Sequence, residues 1–493
     1  MLHRKHGSST IAHSGSHDPR AEGEKGGVVL LLVLLVAQLM VILDITAVNI
    51  ALPSLAQDLR MSGSDVSWTI TSYSLIFGSL LLFGGRAADL LGRRRMFLIG
   101  LGVFTASSFA AALAATSGAL FAARAGQGLG AAMLSPAALA IIMTTFHGNH
   151  RAKALAAWGA VGGAGAAIGV LVGGLLTELT DWRMIFYVNL PVAGALAIAA
   201  IKAIPADEKT PRWRGLDLRG ALIATSSLGA IVFAITQGES AGWTSLQTLA
   251  VGAAGLAGLV GFAAVEHRTR TPLLRIERMA DRAVGGGLFL MLAAAGSIFG
   301  LFLLSSLYLQ NVLRMGPLAT GLAFIPLAVA AGVGAHAAGH IVGRHGVRGP
   351  LAGAFVVAAG GMTLLAHVGD NGSYVRDVLP GMLVAGLGLG VAVVSVSVAI
   401  LTGAREDETG MLSGLNSTGH EIGGTIGIAI FSTLAAGSTG ALAGTDGAAG
   451  IQYAFIAAAV LAALASVVAW AVLPHARQFV PKLRLNPATM PTH

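Results

Sequence analysis

Long apolar runs alternate with short polar breaks along this chain. In order, the runs lie at about 28–53, 66–88, 96–116, 118–145, 153–177, 184–204, 217–237, 246–265, 284–310, 318–342, 350–368, 378–402, 409–436 and 451–473. Each is close to the roughly 20 apolar residues that a helix needs to cross the hydrocarbon core. The pattern predicts an all-α polytopic membrane protein with 14 transmembrane helices. Between the runs the breaks are short and carry most of the charge, as loops at a membrane surface do.

The runs divide into six, two and six. Run four contains Ala125-Gly-Gln-Gly-Leu-Gly130-Ala-Ala-Met-Leu-Ser135, and run twelve contains Ala385-Gly-Leu-Gly-Leu-Gly390-Val-Ala-Val-Val-Ser395. Run five has glycines at 165, 169 and 173; run thirteen has them at 419, 423 and 427. The break after run two reads Gly85-Arg-Ala-Ala-Asp-Leu-Leu-Gly92-Arg-Arg. The break after run ten, Gly339-His-Ile-Val-Gly-Arg-His-Gly346-Val-Arg, is a copy of it without the acid. All three pairs stand eight runs apart. The chain therefore reads as a tail (1–27, disordered and cytoplasmic), a first six-helix bundle (28–205), two inserted helices with their linkers (206–270), a second six-helix bundle (271–475) and a second cytoplasmic tail (476–493). Two related bundles around a midplane site are what alternating access requires. Glycines four apart let helix backbones approach closely at a moving seam.

Composition sharpens this picture. Only 11% of the residues are charged, 55% are hydrophobic and the mean hydropathy is +0.76, against about 25% charge in soluble domains. The net charge of +8 is distributed by topology. All but five of the 31 Lys and Arg fall on the segments that share a side with the N-terminus. Four (Arg60, Arg183, Arg314, Arg376) lie on the other side, and Arg124 lies inside a run. Positive residues concentrate in the cytoplasm, so both termini are expected there. Short basic loops without aromatic interleaving exclude nucleic acid as a partner. There is no cysteine, hence no disulfide or thiolate chemistry. No GxxxxGK[ST] loop is present, so nucleotide does not supply the energy. His336 and His340 stand four apart with no third ligand, and no metal or other cofactor is expected.

The candidate chemistry lies inside the runs. A carboxylate at membrane depth costs roughly 2.5–3.5 kcal/mol on insertion scales, and Asp44 sits in the middle of the first run. Burial disfavours its charged form, which suits proton exchange. Arg124 is the one intramembrane cation, so it must face a polar interior or an acid. Glu421 and His420 lie near the centre of run thirteen, an acid beside a group that titrates near neutrality. Adjacent helix positions point about 100° apart and need not touch. Polar residues eligible to line a cavity are Gln38, Asn49, Tyr73, Gln127, Ser305, Tyr308, Gln310 and Asn416. Drug-sized sites are largely apolar, so Met40, Phe77, Phe299 and Phe302 are equally eligible.

Six stretches in order carry a resemblance. Leu43-Asp44-Ile-Thr-Ala-Val-Asn49-Ile-Ala-Leu-Pro53, Trp68-Thr-Ile-Thr-Ser-Tyr73 and Gly85-Arg-Ala-Ala-Asp89-Leu-Leu-Gly92-Arg93-Arg94 are followed by Arg124-Ala-Gly-Gln-Gly-Leu-Gly. Then come the glycines Gly165, Gly169, Gly173 and Gly174, and Trp182-Arg-Met-Ile-Phe186-Tyr-Val-Asn189-Leu-Pro191. Together they resemble the fourteen-span drug/proton antiporters of the major facilitator superfamily. The resemblance implies an exporter, not an enzyme. It would be a monomer in a bacterial inner membrane that exchanges protons for lipophilic small molecules, cationic ones included, with the proton gradient as energy source. It places Asp44 and Arg124 in proton coupling, and Gly85, Asp89, Gly92, Arg93 and Arg94 in a loop that controls the conformational switch. Gly165, Gly169, Gly173 and Gly174 fall on the antiporter helix. The alternatives left open are a proton-coupled importer of the same fold and, further off, a membrane-embedded enzyme or a sensor.

Overall fold

A computed structural model of the chain describes residues 19–61, 63–146, 148–207, 217–269, 272–401, 409–437 and 448–474. Of the tails expected at 1–27 and 476–493, residues 1–18 and all of the second lie outside the described residues. Helices follow the apolar runs: α1 (Pro19–Asp58), α2 (Gly63–Leu91), α3 (Arg93–Ala112), α4 (Ser117–Thr145), α5 (Gly148–Leu179), α6 (Asn189–Ala203), α7 (Leu218–Ala241), α8 (Leu246–Arg268), α9 (Arg282–Leu307), α10 (Ile325–His345), α11 (Arg348–Leu365), α12 (Leu379–Leu401), α13 (Thr409–Gly437) and α14 (Ala449–Val472). Short helical turns at Met184–Tyr187 and Pro317–Ala323 lead into α6 and α10. Helix α1 starts at Pro19, ahead of the expected boundary at 28.

Several starts are set by side-chain caps, which occupy backbone N–H groups that have no partner inside the helix. Thr116 caps α4, Asp217 caps α7, Ser245 caps α8 and Asp281 caps α9. Among the described residues, eleven helices are long and apolar enough to cross a membrane, or twelve when the two limbs of bent α2 are joined. The expected fourteen are not reached by that measure. Helix α5 passes only as the shorter stretch Ile168–Leu179. Helix α13 carries Asn416, Ser417, Thr418, His420 and Glu421, which dilute its hydropathy.

The packing repeats with an offset of eight helices. In the first set α5 lies along α1, and α2 and α3 lie along α4. In the second set α13 lies along α9, and α10 and α11 lie along α12. The close approaches repeat too. A Cβ on Gly173 would stand 2.5 Å from the Ala47 Cα, and one on Gly427 would stand 2.4 Å from the Gly296 Cα. The sets join along two seams, α2 with α13 and α5 with the Pro317–Ala323 turn and α10. The inserted pair, α7 and α8, pack mainly on each other, with α7 also against α2 and α13.

The two sets are tied at the face of the bundle opposite the start of α1 and the end of α14. Ser306 Oγ donates to the Asn49 carbonyl (3.3 Å) and Gln310 Nε2 to the Ile50 carbonyl (3.1 Å). Glu178, at the end of α5, accepts the Leu318 N–H at 2.8 Å. These ties hold the two sets together across this face, the far mouth of the bundle.

Candidate functional site

Asp44 and Arg124 meet. Helices α1 and α4 bring them together in the first bundle, each essentially without solvent contact, as an ion pair between Arg124 Nη1 and Asp44 Oδ2. The second carboxylate oxygen accepts Gln127 Nε2 at 2.8 Å and Asn189 Nδ2 at 3.1 Å. Both amides also donate to Ser108 Oγ on α3, at 2.7 and 3.1 Å. Arg124 Nη1 donates to Gln127 Oε1 at 2.9 Å and Arg124 Nε to the Thr69 carbonyl at 3.2 Å. The guanidinium lies 4.5 Å from the centre of the Tyr73 ring and 5.9 Å from that of Phe186, which adds cation–π attraction in a dry site.

This geometry changes the expectation for Asp44. Its carboxylate is not isolated: it pairs with Arg124 and accepts from two amides. Charged groups survive inside a protein when paired and fully hydrogen-bonded. Two buried groups beside Asp44, Arg124 Nη2 and the Tyr73 hydroxyl, have no hydrogen-bond partner among the described residues. The site thus contains donors ready for a new acceptor.

Glu421 reaches the same region from the other bundle. It is 9% exposed, and Gly78 on α2 faces it so closely that a Cβ there would stand 2.7 Å from the Glu421 Cβ. Its Oε1 lies 3.3 Å from His420 Nδ1, so the neighbours do touch, while Oε2 has no partner among the described residues. The His420 ring sits edge-on to Phe299, centroids 5.6 Å apart. Asn416 Oδ1 and Ser305 Oγ are further buried oxygens without partners.

The other cavity candidates separate by what they touch. Gln38 accepts from Ser135 Oγ at 2.7 Å and so bridges α1 to α4. Asn49 donates back to the Ile45 carbonyl at 3.1 Å. Tyr308 donates to the Gly369 carbonyl at 2.6 Å, away from the acids. Tyr73 and Gln127 belong to the Asp44 network.

The loop between α2 and α3 is held by a residue that the sequence did not single out. Gly92 has φ +107°, a conformation open chiefly to glycine. Asp207, beyond α6, accepts the backbone N–H groups of Arg94 (3.2 Å) and Arg95 (3.0 Å). Arg94 Nη2 donates to the Ile201 carbonyl at 2.7 Å. Asp89 makes an exposed pair with Arg93 at 2.9 Å; such pairs contribute little. Gly85 has room for a side chain, whereas a Cβ on Gly84 would stand 1.9 Å from the Ala132 carbonyl oxygen. We therefore expect Asp207→Ala to lower thermal stability by about 1 kcal/mol, the usual cost of a lost cap, and to slow turnover more than Asp89→Ala does. Paired melting and initial-rate measurements on the two variants check this.

The antiporter glycines face two ways. Gly165, Gly169 and Gly173 lie against Leu39, Ile42, Leu43, Thr46 and Ala47 of α1, while a Cβ on Gly174 would stand 2.6 Å from the Pro317 carbonyl oxygen across the seam.

Asn189 and Ser108 complete the site, and sequence reasoning had not assigned either. Asn189, the first residue of α6, lies in the quoted stretch Trp182–Pro191, but nothing in its spacing points to an acid 145 positions earlier.

Comparison with known proteins agrees with the fold. The family model described as Major Facilitator Superfamily matches residues 34–428. Puromycin resistance protein pur8 of Streptomyces alboniger is 41% identical over 415 residues, covering 83% of this chain and 82% of that protein. Cephamycin export protein CmcT of Amycolatopsis lactamdurans is 33% identical over 407 residues, covering 82% and 84%. Multidrug resistance protein Stp of Mycobacterium tuberculosis (strain ATCC 25618 / H37Rv) is 32% identical over 398 residues, covering 80% and 74%. Among solved structures, the peptide transporter POT in complex with alafosfalin matches with a TM-score of 0.64 at 15% identity, covering 92% of this chain and 95% of that one. A bacterial homologue of the human lysosomal transporter Spinster, in an inward-facing and unoccupied conformation, matches at 0.62 and 15%, covering 93% and 98%. At such identities the structures speak for the fold alone. The chain belongs to the major facilitator superfamily.

Proposed function

We propose that proton entry drives this drug-efflux transporter, and that the Asp44–Arg124 pair is where the proton is exchanged. The observation that carries the reading is the buried carboxylate in α1, wrapped by Arg124, Gln127 and Asn189 beside unpartnered donors. Protonation of Asp44 cancels its attraction for Arg124 and frees the guanidinium for another acceptor. A charge rearrangement of this kind at the midplane biases one bundle to rock against the other. Glu421 supplies a second acid from the opposite bundle.

The working unit is a monomer of two six-helix bundles (28–205 and 271–475) with an inserted pair (206–270) in the bacterial inner membrane, both termini in the cytoplasm. Its substrates are lipophilic small molecules. The relatives' names, which cite puromycin, cephamycin and multidrug resistance, support that class, and the apolar rings of Phe299 beside His420 and Phe77 beside Tyr73 suit it.

A panel of dyes and antibiotics in inverted membrane vesicles, with and without an imposed pH gradient, tests the reading. Expected are gradient-dependent substrate accumulation and a proton leak on substrate addition. Transport that ignores the gradient, or that moves substrate along with the proton, would overturn it. In the same assay Glu421→Gln should depress transport of cationic dyes more than of neutral ones, because only the former gain from a carboxylate in the path.

A further inference from the structure

The two inserted helices lie on one particular seam. Helix α7 packs on α2 of the first bundle and on α13 of the second. Leu75, Val232, Ile422 and Ala429 are buried together there, with Trp68, Leu228 and Ile426 packed around them. The Trp68 and Phe233 rings stand 6.2 Å apart, and a Cβ on Gly229 would be in ordinary contact, 3.5 Å, with Leu75 Cδ2. Helix α8 is held close to α7, where a Cβ on Gly255 would stand 2.8 Å from the Ser227 carbonyl oxygen. Its other face is bare: Leu246, Leu249, Leu256 and Val260 are all exposed, as residues touching lipid are. The hairpin is thus a strip with lipid on one side and the α2–α13 seam on the other.

Beneath the strip, on that seam, Gly78 meets Glu421. Ile422 packs under α7, and Glu421 precedes it in the chain. A carboxylate one position from hydrocarbon is exposed to a large desolvation cost whenever the seam loosens. Alternating access requires that loosening, since α2 and α13 belong to bundles that move against each other. The described contacts differ on the two sides of α7. Toward α2 they include the Trp68–Phe233 ring pair; toward α13 they include the aliphatic side chains of Ile422, Ile426 and Ala429, and aliphatic surfaces slide more readily than interlocked rings.

We propose that the inserted hairpin is a lipid seal for the α2–α13 seam: it travels with α2 and lets α13 slide beneath it, keeping the bilayer away from Glu421 throughout the cycle. The inference goes beyond proton coupling and does not require it, because a lipid seal would be needed whatever energises the motion.

The chain has no cysteine, so introduced thiols are unique. The first arm joins α7 to α2 through Leu75→Cys and Gly229→Cys, and α7 to α13 through Val232→Cys and Ile422→Cys, each with a short bifunctional thiol reagent. The α2 link should leave efflux close to that of the unlinked variant, and the α13 link should stop it. A stop with the α2 link, or free turnover with the α13 link, overturns the proposal. The second arm places a spin label on Ile422→Cys and reads its collisions with lipid-dissolved oxygen, with Val260→Cys as the lipid-facing reference. Collisions should be few in the otherwise unchanged protein and rise severalfold when Val232 and Phe233 are changed to Ala. An unchanged low value in that variant overturns the seal. Because this arm measures no transport, its outcome is separate from the fate of the proton-coupling reading.

Discussion

Asp44→Asn should abolish proton-driven efflux while the protein still reaches the membrane. Asparagine keeps the shape and can still accept from Gln127 or Asn189, but it cannot carry a proton and leaves Arg124 buried without its counter-charge. Removing one partner of a buried pair costs about 3–5 kcal/mol, most of it the penalty of the charge left behind. The variant should therefore also melt at a lower temperature than the parent. The two effects can be separated by a second substitution. Asp44→Asn combined with Arg124→Gln removes both charges, so most of the lost stability should return while transport stays absent. Melting curves and gradient-driven dye efflux on the single and double variants provide the test. Efflux restored in the double variant would mean that the pair serves only to balance charge. Normal efflux from the single variant would take Asp44 out of the mechanism.

The parts of this protein that were legible in its sequence are those governed by local physics. Hydropathy located the helices because each must cross the same thickness of hydrocarbon. The eight-run offset of three motifs located the repeat, and the α1–α5 and α9–α13 contacts follow it. Asp44, Arg124 and Glu421 stood out because intramembrane charge is expensive. What remained hidden was pairing across long chain separations. Nothing along the chain says that Asp44 meets Arg124 rather than a second acid. Asn189, Ser108 and Asp207 carry no signal of their own. An asparagine or serine in a helix is unremarkable until the fold puts a carboxylate beside it, and Asp207 reads as a loop residue until α3 is seen to start on it. Tyr308 and Gln38 show the reverse: polar residues inside apolar runs look like cavity lining but are committed to neighbouring backbone and side chains. The contact between His420 and Glu421 was likewise beyond helical spacing, since it depends on side-chain rotamers.

Gly173→Leu and Gly174→Leu should give opposite phenotypes although the residues are adjacent. Gly173 lies against the backbone of α1 inside the first bundle, where a Cβ would stand 2.5 Å from the Ala47 Cα. Neither backbone can yield without separating α1 from α5, and overpacking costs typically about 1–3 kcal/mol and sometimes more. That variant should accumulate poorly or melt well below the parent. Gly174 faces the other bundle, where its Cβ would stand 2.6 Å from the Pro317 carbonyl oxygen, beside the Glu178–Leu318 hydrogen bond. There the strain is relieved by moving one bundle away from the other, a motion the transport cycle already contains. Gly174→Leu should fold normally but be unable to close the far mouth, so binding survives while turnover stops. A distance measurement between labels at Asp181→Cys and Met315→Cys, one on each bundle near that mouth, would detect it. The distance should lengthen in Gly174→Leu and stay at the parent value in whatever Gly173→Leu protein can be recovered. An unchanged distance in Gly174→Leu with transport lost would place the defect inside the first bundle and remove Gly174 from the seam's closing surface.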